Sequence, residues 1–77
     1  MTFTTLNHIA CHKIVTIHRI ESSPCSARLT EMGFLPGHTT TVVRKSPFGS
    51  TLYVRLNKSH IALRKKEAAQ VIIQVNS

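Results

Sequence analysis

The chain has no aspartate, no tryptophan, only three glutamates, three glycines, three prolines and two cysteines. Each scarcity excludes something. With carboxylates only at Glu21, Glu31 and Glu67, far apart in sequence, acid/base catalysis by a carboxylate pair has no support. There is no G-x-x-x-x-G-K-[ST] phosphate loop, no G-x-S-x-G elbow and no H-E-x-x-H zinc helix, so hydrolysis and phosphoryl transfer lack a legible nucleophile or cradle. The sequence does not read as an enzyme. Cys11 and Cys25 are too few for a disulfide framework and are expected as free thiols, behaving as small buried hydrophobes. Apolar runs such as Val71-Ile72-Ile73 are far shorter than the roughly 20 residues a membrane helix needs. The start Met1-Thr2-Phe3-Thr4-Thr5-Leu6 lacks the basic and apolar regions of a secretory signal, which points to the cytoplasm.

What is present is a basic, aliphatic chain of 77 residues, 42% hydrophobic, with ten Lys plus Arg and a formal charge of +7. That length suits one domain over residues 1–77 with a small core. Residues 1–10 are Thr-rich without a clear period and read as a loose arm or a short edge segment. Alternation then predicts a strand from Lys13 to Ile20. Glu21-Ser22-Ser23-Pro24 supplies a capping hydroxyl and a proline suited to a first helical turn. Cys25, Leu29 and Met32 form one apolar stripe on that helix, with Arg28 and Glu31 off the stripe. Gly33 is placed to end it, and Phe34-Leu35-Pro36-Gly37 to turn the chain, its two apolar residues pinning the corner to the core.

Further strands are predicted over His38–Lys45, Thr51–Leu56, His60–Leu63 and Val71–Val75. Turns at Ser46-Pro47-Phe48-Gly49-Ser50 and Asn57-Lys58-Ser59 separate the first three, and a helical turn from Arg64 to Ala69 precedes the last. Five short strands in so small a chain leave hazardous edges unless the sheet curls. The expected fold class is mainly β: a small, SH3-like, partly open barrel of about five strands with one inserted short helix.

Two chemistries compete with a purely structural reading. His8, Cys11 and His12 form the sharpest metal-like cluster, with donors suited to Zn2+ or Fe2+. It lacks a fourth ligand, which Cys25 supplies only if the arm folds back, and the ordinary reading as arm and core residues outweighs it. His18, His38 and His60 are isolated and carry less still. The basic clusters Arg44-Lys45 and Arg64-Lys65-Lys66 raise a nucleic-acid alternative. Phe3, Phe34, Phe48 and Tyr53 do not interleave with those charges as a stacking platform requires, so a solvated face or an acidic protein partner is favoured over nucleic acid.

The order Arg28-Leu29-x-x-Met32-Gly33-Phe34-Leu35-Pro36-Gly37, then Pro47-Phe48-Gly49, then Ala62-Leu63-Arg64-Lys65-Lys66-Glu67-Ala68, resembles the bacterial ferrous iron transport protein A (FeoA) family. Three ordered motifs from about Lys13 to Val75 carry the resemblance. Ser50-Thr51 and the glycine-free turn Asn57-Lys58-Ser59 depart from the family pattern, both in turns. The resemblance implies an SH3-like fold, a cytosolic location and a non-enzymatic role beside FeoB, the ferrous permease with a cytosolic GTP-binding domain. On that reading the chain needs no cofactor, does not insert into the membrane, and reaches its inner face only through its partner. Other small Feo-system proteins and self-association stay open as further partners. The expected contact residues are Arg28, Phe34 and Leu35 at the corner, with Arg44, Lys45 and Phe48 near the hairpin tip. Leu29, Met32, Gly33, Pro36, Gly37, Pro47, Gly49 and Leu63 are expected to shape the fold.

Overall fold

The alternating, β-branched segments become strands because they can bury one face and pair on both sides. The computed structural model describes residues 2–21 and 26–75. In chain order these form β1 (Thr2–Thr5), a 3₁₀ turn (Leu6–His8), β2 (Ile14–Ile20), α1 (Ser26–Glu31), β3 (Thr39–Lys45), β4 (Thr51–Leu56), β5 (Ser59–Arg64), α2 (Lys65–Ala68) and β6 (Val71–Val75). The expected capping hydroxyls of Ser22 and Ser23, Pro24, and the first stripe residue Cys25 lie outside the described residues.

The six strands form one antiparallel sheet in the order β1-β6-β2-β3-β4-β5. Its ends, β1 and β5, are edges, so the barrel is partly open as expected. The strand count is six rather than about five. The extra strand comes from the first ten residues, where the short edge segment holds and the loose arm does not: β1 pairs along β6 from Thr2 opposite Val75 to Thr5 opposite Ile72. Leu6 and Ile9 behind it are buried in the core, so this arm is anchored.

Curvature comes from two register shifts, between Ile17 and Arg19 where β2 meets β6 and between Val42 and Arg44 where β3 meets β4. An extra residue on one strand bends it and sharpens its twist, which lets a sheet of short strands roll up. Inside, Leu52, Val54 and Leu56 of β4 face Val42, Leu63, Ile73 and Leu29 in one cluster, all fully or almost fully buried. The alternation expected for β4 is therefore observed residue by residue. The buried hydroxyl of Thr40 donates to the Arg55 carbonyl at 2.9 Å, so its burial leaves no polar group unsatisfied. Asn57 takes the left-handed conformation in the β4–β5 turn, with φ of 57°.

Candidate interaction surface

The Gly33–Gly37 corner is built by the end of α1. The Phe34 N–H donates to the Leu29 carbonyl at 3.1 Å and the Gly33 N–H to the Thr30 carbonyl at 3.0 Å. That pair of bonds is a Schellman ending, which requires positive φ at the residue after the cap and favours contact between the next residue and one in the last turn. Gly33 has φ of +104°, and a Cβ there would lie 3.2 Å from Leu56 Cδ2. Phe34 and Leu29 meet inside the core, both 0% exposed.

This corrects the expectation that Phe34 contacts a partner. Its ring is enclosed, so truncation attacks the fold rather than a surface. Of the two roles expected of Phe34, pinning the corner to the core and contacting a partner, the first is the one observed, and Leu35 does not share it. Leu35 points outward, 38% exposed. The corner is tied down where the Gly37 N–H donates to the Ile17 carbonyl at 2.9 Å and the His38 N–H to the Leu35 carbonyl at 3.1 Å.

Arg28 is not a free contact residue. Its Nη1 lies 3.2 Å from Glu67 Oε2, while Glu67 Oε1 accepts the Arg64 N–H at 3.0 Å. The glutamate sits at the third position of α2, where a side chain can satisfy a backbone donor that the helix leaves unpaired. Glu67 is 3% exposed, and a buried carboxylate needs such partners. The pair joins α2 to α1 across the motifs that were separate in sequence.

The second expected contact region is the β3–β4 tip. Ser46 accepts the Gly49 N–H at 2.9 Å and donates its own N–H to Thr51 at the same distance, closing a turn with Pro47 and Phe48 in the middle. The Thr51 N–H also donates to Ser46 Oγ at 3.1 Å. Gly49 takes φ of +72°. Proline at the second position of the turn and glycine at the fourth suit this geometry and leave the third side chain outside. Phe48 is 97% exposed. Beside it, the Arg44 guanidinium carbon lies 4.6 Å from the centre of the Tyr53 ring, a cation–π contact that fixes the charge on the outer face.

Corner and tip are not one patch. They lie at opposite ends of β3, whose seven residues span about 20 Å when extended. What adjoins the tip is the other basic cluster: Thr51 pairs with Arg64, and the Lys65 N–H donates to the Ser50 carbonyl at 2.9 Å.

Toward the corner end lies an open depression of about 190 Å³ lined by Ile14, Thr39, Thr40, Thr41, Arg55 and Asn57. It contains none of the expected contact residues.

His8, Cys11 and His12 are all exposed around the turn after β1, and His8 Nδ1 lies 2.9 Å from Thr5 Oγ1. No group of three metal-ligating side chains gathers among the described residues. Cys11 is a free thiol, but an exposed one, which corrects its expected burial. The proposed fourth ligand, Cys25, lies outside the described residues. No helix among the described residues is long and apolar enough to cross a membrane.

A rolled antiparallel sheet with two short helices, where one inserted helix was expected, defines a small SH3-like β-barrel. Residues 4–75 match the FeoA domain model, and the chain belongs to the FeoA family. It is similar to a FeoA-like protein from Clostridium acetobutylicum, at 27% identity and a TM-score of 0.90, with 97% of this chain and 90% of that one covered. A FeoA from Stenotrophomonas maltophilia in complex with zinc, described as a prokaryotic SH3 domain protein, superposes with a TM-score of 0.83 at 28% identity, covering 92% and 89% of the two chains. Over 50 residues, 65% of this chain, it is 36% identical to a fusion of Fe(2+) transport protein A with the Fe(2+) transporter FeoB from Porphyromonas gingivalis. The chain spans 6% of that fusion protein's length.

Proposed function

We propose that this chain is a cytosolic, non-enzymatic accessory of ferrous iron uptake that docks on the GTP-binding region of the FeoB permease. The observation that carries this reading is the similarity to a protein in which the same kind of domain is fused to FeoB. Fusion holds two units at high effective concentration, an arrangement that serves proteins whose surfaces meet. Membership of the FeoA family over residues 4–75 supports the same role.

Leu35 is the contact residue this reading favours. It is a partly exposed apolar side chain on a corner fixed by backbone hydrogen bonds to β2 and His38, so it is presented without an ordering cost. The latched Arg28 guanidinium remains largely in solvent, with its side chain 68% exposed, and offers a charge beside the helix. Phe34 acts behind them as the core support.

Calorimetric titration of the purified full chain with the soluble GTP-binding region of the permease from the same genome tests the proposal. Saturable binding is expected, and Leu35→Glu should abolish it while leaving the unfolding midpoint in place. No heat at the highest soluble concentrations, together with failure to co-purify with the intact permease, would overturn it.

A further inference from the structure

The tip of the β3–β4 hairpin combines two properties. It raises the most exposed large apolar side chain among the described residues, Phe48 at 97%, on a turn closed by three hydrogen bonds. It also stands among five of the ten Lys and Arg: Arg44 and Lys45 on the strand leading into it, and Arg64, Lys65 and Lys66 on the segment bonded to Ser50 and Thr51. No ion pair joins any of these five to an acid among the described residues. Glu67 on the adjoining α2 is buried and engaged with Arg28 and the Arg64 N–H, Glu21 is paired with Arg19 at 2.9 Å, and Glu31 ends α1 next to the corner.

We propose that this tip docks on an anionic phospholipid surface, with Phe48 entering the headgroup region and the surrounding Lys and Arg lying over lipid phosphates. The shape of the region favours a bilayer over a protein. One phenylalanine at a convex crest falls well short of the roughly 800 Å² per partner that a stable protein interface buries. A fluid layer of phosphates needs no matching contour and accommodates long cationic side chains in any position. Nucleic acid is disfavoured because Phe34 is in the core, Tyr53 lies under Arg44 and Phe3 packs against the His18 ring on β2, which leaves Phe48 as the one ring at the tip where strand binding needs several. The inference deepens the accessory role proposed above, because a membrane-facing tip would hold the chain at the leaflet that contains a permease while the corner at the far end of β3 stays free.

The absence of tryptophan makes the test direct, since Phe48→Trp installs a unique fluorophore at a site that does not support the core. The full chain is titrated with vesicles of phosphatidylcholine alone and of phosphatidylcholine mixed with phosphatidylserine. Emission should shift to the blue with the mixed vesicles only, and the shift should weaken as salt is raised. In sedimentation with the same vesicles, Phe48→Ala should partition about tenfold more weakly than the parent chain. Lys65→Gln and Lys66→Gln should each cost about fivefold.

An unshifted emission with anionic vesicles, or equal sedimentation of Phe48→Ala and the parent chain, would overturn the proposal. So would a blue shift produced by the permease's soluble region and not by vesicles, which would assign the tip to a protein. Because the vesicles contain no permease, failure here leaves the calorimetric test of the accessory role standing, and failure there leaves this result standing.

Discussion

Phe34 and Phe48 have similar neighbours, each next to a glycine and within two residues of a proline, yet one is 0% exposed and the other 97%. The difference lies in what each turn must do with its backbone. The Gly33 ending sends the chain back across the last turn of α1, so the residue after the glycine lands on Leu29 and the core. The Ser46–Gly49 turn reverses a hairpin beyond the end of the barrel, where the third position has no core to reach. Composition alone cannot separate the two; the hydrogen-bonding direction of the turn does.

The largest expected effect sharpens this contrast from the buried side. Phe34→Ala should lose about 3–5 kcal/mol, the range for emptying a buried aromatic site. A chain of this size is stabilised by only about 4–12 kcal/mol in total, so urea unfolding should show a midpoint driven far down or a protein already largely unfolded. Gly33→Ala comes next, at about 1–3 kcal/mol, because alanine must adopt a strained φ while its methyl presses on Leu56. Thermal unfolding measures it. A cost below experimental error would mean that the corner has another way to close and that Phe34 is not held in place by its glycine.

The strands from β2 onward were legible because alternation is a local property: Leu52, Val54 and Leu56 announce their inward face without help from elsewhere. The first ten residues were legible only as a loose arm or an edge segment, since β1 exists through its pairing with β6 at the other end of the chain, and Thr2–Thr5 has no apolar period of its own. Leu6 and Ile9 gave the available hint, an apolar pair three apart just after the Thr-rich stretch. The motif around Glu67 was visible as a motif, but the burial of its carboxylate against Arg28 depends on how α1 and α2 meet, which no spacing within either element encodes. Reading Phe34 as a contact residue failed because it sits in a distinctive motif that is largely a folding device, whereas Arg28 is latched to Glu67 and still exposed. Leu35 and Phe48 are the exposed large apolar members of the same motifs.

The smallest expected effect tests the account most directly. Urea unfolding of Phe48→Ala, run beside Phe34→Ala and the parent chain, should superpose on the parent within about 0.5 kcal/mol while Phe34→Ala falls away. If instead Phe48→Ala were destabilised as severely as Phe34→Ala, the tip would be part of the fold, and the division between a supporting phenylalanine and an exposed one that the fold does not need would be contradicted.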